Sequence, residues 1–286
     1  MESNCEIQLA GIPGISWNAG NAKEVIMAYT VNCSILLTEL PLLERPAAAK
    51  AAGFDHVEFW WPFADSVPAD TEITAFERAI TDAGVQLTGL NFNAGNMPGG
   101  DRGLVSWPAR SAEFRDNLDV VAGIGGRLGC TGFNALYGNR TPDSTPEEQD
   151  ALGVANLVLA AAAVARIGGT VLLEPVSGAE HYPVKTARDA VEIIGKVHAE
   201  GALNVKLLAD FYHLSVNGDD VAAVIAAHAP EFGHIQIADA PGRGAPGTGN
   251  LPLGEWITAS RNLGYDGPIG LEYKADANTA FGWLIR

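Results

Sequence analysis

Short apolar runs and longer amphipathic segments alternate from about residue 27 to the end of the chain, the two periodicities expected of strands and helices. The first run, 29–36, is rich in β-formers. It precedes an Ala-rich helical segment, 40–52, that stops at Gly53, a residue suited to closing a helix. The cadence then repeats. Strands are predicted over 55–60, 85–90, 131–137, 170–174, 204–210, 232–237 and 268–272, and helices over 70–83, 111–128, 146–167, 186–199, 218–228 and 253–263. Thr145-Pro146-Glu147-Glu148 places a hydroxyl at the cap, proline at the first helical position and acids in the first turn, a helix start. A long loop, 91–108, follows the third strand.

Strands separated by helices imply a parallel sheet, because each crossover returns the chain to the same edge. Eight such units closing on themselves make a (β/α)8 TIM barrel, an α/β fold, and 286 residues suit one barrel as a single domain. An open doubly wound sheet would show a Gly-rich phosphate turn after its first strand; residues 34–39 contain no glycine. The barrel domain is therefore placed at 27–286. Residues 1–26 carry several Gly and Asn, lack the basic and apolar regions of a secretory signal, and are expected to be an N-terminal extension.

Composition narrows the partners. A formal charge of −16, from 18 basic and 34 acidic residues, argues against nucleic acid, whose phosphates are bound largely by Lys and Arg. No run approaches the roughly 18 uncharged apolar residues of a membrane span; the longest apolar stretch, 157–165, is Ala-rich and reads as a packed helix. Cys5, Cys33 and Cys130 offer no disulfide framework and fit a reduced, cytoplasmic setting.

Chemistry gathers where strands run out. Glu58, Glu174, Asp210, Gln236 and Glu272 stand at or near the ends of apolar runs, and on a barrel these ends share one mouth. Taken singly, each reads as a solvated strand-end group. A carboxylate in Leu172-Leu173-Glu174-Pro175 is harder to read that way, since burying an unpaired charge is expensive. Glu174, Asp210, Gln236 and Glu272 in register on four successive strands outline a metal site. Three carboxylates and an amide oxygen are hard donors suited to Mg²⁺ or Mn²⁺. His213 is a candidate donor to a substrate oxygen. Arg243 is a candidate clamp for an anionic substrate, with Arg102 in the long loop a second candidate, and Glu58 is placed among the substrate contacts. His234 reads as a core histidine, and Trp60 and Trp61 as an apolar wall of the mouth or a rim packed on helices.

Several motifs resemble the hydroxypyruvate isomerase family of the xylose-isomerase-like barrels. They include Ala52-Gly53-Phe54-Asp55-His56-Val57-Glu58-Phe59, Gly100-Asp101-Arg102-Gly103, Leu173-Glu174-Pro175, Asp210-Phe211-Tyr212-His213, Gly233-His234-Ile235-Gln236-Ile237-Ala238 and Gly270-Leu271-Glu272-Tyr273. The likeness runs from about residue 28 to the end. It implies a metal-dependent isomerase in which Glu174 and Glu272 both bind the metal and move the proton, with Asp210 and Gln236 completing the shell. His213 and Arg243 match substrate contacts of related epimerases. Two departures concern the substrate: Gly247-Thr248-Gly249-Asn250 ends on asparagine where the family commonly has glutamate, and Val176-Ser177-Gly178 replaces an Ile-Asn type sequence.

The resemblance implies interconversion of hydroxypyruvate and tartronate semialdehyde through an enediolate, the two glutamates exchanging protons with adjacent carbons. A small 2-oxo acid or sugar-like substrate is thus expected, and a homodimer by analogy with relatives. The neighbouring alternatives are a 2-oxo-tetronate isomerase or a ketose 3-epimerase on the same site. More remote are a DNA-repair endonuclease of the endonuclease IV type, which would need a basic groove and more zinc ligands, and a non-catalytic binding protein.

Overall fold

The computed structural model describes residues 29–276 and 279–285. The expected extension, 1–26, lies outside the described residues. Eight parallel strands close into a barrel in sequence order: β1 (Tyr29–Asn32), β2 (His56–Phe59), β3 (Gln86–Asn91), β4 (Gly132–Asn134), β5 (Thr170–Leu173), β6 (Val205–Asp210), β7 (Phe232–Ile237) and β8 (Ile269–Leu271). The outer layer holds α1 (Arg45–Ala51), α2 (Asp70–Ala83), α3 (Ser111–Leu128), α4 (Pro146–Ala165), α5 (Ala187–Ala199), α6 (Phe211–Asn217), α7 (Val221–His228) and α8 (Leu253–Asn262). The single-domain (β/α)8 barrel is the observed fold.

Local chemistry sets the boundaries. Thr145 Oγ1 accepts the Glu148 N–H at 3.2 Å while Glu148 Oε2 accepts the Thr145 N–H at 2.9 Å, the reciprocal cap that starts α4. Gly84 closes α2 at φ +66°. β1 is shorter than the predicted 29–36: Asn32 Oδ1 accepts the Ser34 N–H at 3.1 Å and turns the chain into the mouth. β4 likewise stops at Asn134, although Ala135 still bonds to Leu172 O at 2.9 Å. The predicted helix 40–52 divides into a 3₁₀ turn, Leu42–Glu44, and α1. The sequence reading missed α6, which begins directly off β6, and the predicted helix 218–228 begins only at Val221.

By length and composition α4 could cross a membrane. Its place in the outer ring accounts for that composition: Leu157, Ala160, Ala161 and Val164 are buried, and Asn156 Nδ2 donates to Val105 O at 2.8 Å. The loop after β3 passes close to the segment that follows β4. A Cβ at Gly103 (φ +110°) would stand 1.9 Å from Leu136 O, so the approach requires glycine.

Candidate functional site

At the C-terminal ends of the strands a cavity of about 940 Å³ opens, lined in part by Trp60, Asn93, Arg102, Glu174, His213, Arg243 and Glu272. β5 and β8 end one residue before Glu174 and Glu272, Asp210 is the last residue of β6, and Gln236 pairs with it in register on β7. All four are buried. Glu174, Asp210, His213 and Glu272 each bring a possible ligand atom within 4.8 Å of the others.

The two glutamates are held differently. Glu174 Oε2 accepts Asn134 Nδ2 at 2.6 Å. Glu272 Oε1 accepts Asn32 Nδ2 at 3.0 Å and the Trp60 indole N–H at 2.7 Å, and Oε2 pairs with Arg243. Burial raises the pKa of Glu174 well above the ordinary carboxylate value, and the charges of Glu272 and Asp210 push it the same way. Burial also raises Asp210 and Glu272, in each case against the lowering pull of Arg243.

Asp210 is committed on one side. Its Oδ1 caps α6, accepting the N–H groups of Tyr212 at 2.8 Å and His213 at 3.3 Å, while the buried Oδ2 has no hydrogen-bond partner. Gln236 is similarly divided: Nε2 donates to Glu58 Oε1 at 2.7 Å, and the buried Oε1 has no partner. An orphaned Asp210 oxygen clustered with Glu174 and Glu272, and an orphaned Gln236 oxygen on the next strand in register with Asp210, suit a hard divalent cation.

His213 lies in the same cluster, and its hydrogen bonds set its tautomer. The Ser177 backbone N–H donates to Nδ1 at 3.0 Å, so Nδ1 is the acceptor and the proton of the neutral ring sits on Nε2. Burial, aided by the charge of Arg243, lowers the ring's pKa to about 3 and keeps it neutral. Nε2 stands 3.5 Å from Asp210 Oδ2 and 3.9 Å from Glu174 Oε1. It is an N–H aimed into the site, which suits a substrate oxygen and not a metal. Gln236 Oε1, buried and without a hydrogen-bond partner, is left as the candidate fourth oxygen.

The arginines divide as well. Arg243 (φ +57°) engages Glu272, lies 3.7 Å from Asp210 Oδ2 and covers the Tyr212 ring at 5.6 Å. Arg102 reaches the mouth with Nη1 held by the carbonyls of Met97 and Asp101, at 2.9 and 2.6 Å. Glu58, expected among the substrate contacts, is absent from the cavity lining. It lies deeper and accepts bonds from Gln236, from Asn32 Nδ2 at 3.1 Å and from His234 Nε2 at 2.7 Å. His234 is the expected core histidine. Trp60 is more than a wall, since it donates to Glu272.

The sequence reading missed Asn32, Asn134 and Ser177. Both asparagines end strands, so the rule that found the acids applies to them equally.

The sequence profile of the xylose isomerase-like TIM barrel family matches residues 46–285. A putative hydroxypyruvate isomerase of Streptomyces coelicolor is 53% identical, the match covering 90% of this chain and 95% of that protein. A 2-oxo-tetronate isomerase of Cupriavidus necator is 35% identical over 90% and 96%. A solved structure described as AP endonuclease, family 2, from Brucella melitensis superposes with a TM-score of 0.79 at 28% identity, covering 90% of this chain and 97% of that one.

Proposed function

The chain belongs to the xylose isomerase-like TIM barrel family and stands among relatives named as hydroxypyruvate isomerases, and from that premise we propose that it is a metal-dependent isomerase of hydroxypyruvate. Glu174, Asp210, Gln236 and Glu272 would hold Mg²⁺ or Mn²⁺. When bound, the cation polarises adjacent carbonyl and hydroxyl oxygens and lowers the cost of negative charge developing between them. One glutamate of the pair Glu174 and Glu272 takes the proton from the hydroxymethyl carbon, and the other delivers a proton to the former carbonyl carbon. The hydroxyl proton passes to the neighbouring oxygen, so atoms and charge balance and the product is tartronate semialdehyde. His213 donates its Nε2–H to a substrate oxygen, Arg102 meets the substrate carboxylate, and Trp60 and Asn32 keep Glu272 in place. The observation that carries this reading is the pair of buried carboxylates facing one mouth beside two orphaned ligand oxygens.

The test is conversion of hydroxypyruvate by protein stripped of metal and then resupplied with Mg²⁺ or Mn²⁺. Activity that appears only on resupply supports the reading. Turnover unaffected by chelation, or confined to free ketoses in a substrate panel, overturns it. A 2-oxo-tetronate is the second reading, favoured by the roughly 940 Å³ mouth, which has room for a longer chain. An endonuclease reading gains nothing from a charge of −16. Both histidines at the site also have a ring nitrogen engaged by protein partners.

A further inference from the structure

Beneath the mouth, one carboxylate takes three donors. Glu58 Oε1 accepts Gln236 Nε2 at 2.7 Å and Asn32 Nδ2 at 3.1 Å, and Oε2 accepts His234 Nε2 at 2.7 Å. It is buried and, like Gln236 and Asp210, stands behind the residues that line the open mouth, sharing a small inner cavity with Asn32, Asn134 and Gln236. Glycines give it room: a Cβ at Gly270 would stand 2.9 Å from Glu58 Oε1, and one at Gly89 3.1 Å from Glu58 Cβ.

A glutamine amide is nearly symmetric in shape, and a half-turn exchanges its oxygen for its NH₂. Only the oxygen can ligate a cation. An ionised carboxylate accepts and never donates, so a carboxylate at one end of Gln236 compels the NH₂ to face it and the oxygen to face the opposite way. Asn32 has a second acceptor in Glu272 Oε1 at 3.0 Å, which orients it without Glu58. Gln236 has no second partner for its NH₂ among the described residues.

We propose that Glu58 is the positioning residue that orients the Gln236 amide, presenting Oε1 to the metal centre. The inference rests on the metal-site reading above. In Glu58→Gln, residue 58 carries both a donor and an acceptor and no longer discriminates between the two amide orientations of Gln236.

The experiment is calorimetric titration of metal-depleted, full-length protein with Mn²⁺ alone, for the parent, Glu58→Gln, Gln236→Ala and the double variant. Loss of an outer-shell partner of a ligand commonly costs 10–100-fold in metal affinity, and Glu58→Gln is expected to weaken Mn²⁺ by that factor. In the Gln236→Ala background the same change is expected to cost under about threefold, because the group it acts through is gone. A merely structural role would give equal losses in both backgrounds, and that result overturns the proposal. So does an unchanged Kd for Glu58→Gln. If Glu58→Gln does not fold, Glu58→Asp, which withdraws the carboxylate by one methylene, is titrated instead, and an unchanged Kd there is equally fatal. A parent that does not bind Mn²⁺ refutes the metal site itself, which separates that failure from this one.

Discussion

Gly270→Ala tests the packing behind the centre. Gly270 lies in β8 beside Gln236 in register, and an added Cβ would stand 2.6 Å from Gln236 Cγ, 2.9 Å from Glu58 Oε1 and 3.0 Å from His234 Nε2. Optimal carbon contacts lie near 3.5–4.0 Å, so the overlap with Gln236 is about 1 Å. Glu58 is fixed by three hydrogen bonds and the barrel wall is continuous, which leaves Gln236 as the group to shift. Overpacking of this kind costs about 1–3 kcal/mol, and the stiffer unfolded chain returns about 0.4–1 kcal/mol. The net, about 1–2 kcal/mol, corresponds to a fall in Tm of roughly 2–8 °C for a chain of this size. Displacing Gln236 should also weaken Mn²⁺ binding roughly 10–100-fold. Gly195→Ala is the control: it is exposed in α5 with nothing within 4 Å of the new Cβ and should stabilise by up to about 1 kcal/mol. A melt and an Mn²⁺ titration decide. A Gly270→Ala protein as stable as the parent, with unchanged affinity, would refute the reasoning.

Four further outcomes are expected. Glu174→Gln and Glu272→Gln should each lower kcat on hydroxypyruvate roughly 10²–10⁴-fold; near-parental turnover in either would exclude the two-glutamate proton path. His213→Phe should lower kcat/KM about 10–100-fold, the worth of a hydrogen bond to a charged group, and leave Mn²⁺ affinity intact; a matching loss of affinity would make His213 a ligand after all. The metal-free protein should lose stability as pH rises above the ordinary carboxylate value near 4.5. The folded-state pKa values of Glu174, Asp210 and Glu272 are raised, so over that window the folded state holds more protons than the unfolded one. Mn²⁺ at a fixed concentration, about 100 times its Kd at pH 8, adds about 2.7 kcal/mol there, and the rise in Tm should be smaller at pH 5, where protons compete for the carboxylates; the reverse trend in melts would contradict the buried cluster. Gly103→Ala, with its Cβ 1.9 Å from a backbone carbonyl, should be strongly destabilised, and parental melting would show that the loop relaxes freely.

Much of this was legible in the chain itself, for definite reasons. A strand in a closed barrel has one exit, so an acid just past Val171-Leu172-Leu173 or at the end of β6 has one place to be. The missed features lack such constraints. Asp210-Phe211-Tyr212-His213 contains no break, and α6 starts there only because Asp210 supplies its own cap. Glu58 was expected among the substrate contacts because the sequence shows its distance along β2 but not the closure that brings His234 and Gln236 onto it. Asn32 and Asn134 escaped because a strand-end amide draws less notice than a charge, although each donates to a glutamate of the pair. The orientation of the His213 ring depended on a backbone N–H at Ser177, which no side-chain motif records.

The divided duty of Asp210 has a practical meaning for anyone redesigning the centre to accept a softer ion. A His or Cys at 210 would offer a new ligand atom but strip the N–H groups of Tyr212 and His213 of their cap, at about 1 kcal/mol, and loosen the turn that carries His213. Position 236 is free of that burden: a histidine there could turn one ring nitrogen to the ion and give the other, as N–H, to Glu58, the carboxylate–histidine arrangement common around metals. On the proposed metal reading, the barrel would thus hold one interchangeable ligand and one welded to its scaffold, and retuning of metal preference should begin on β7.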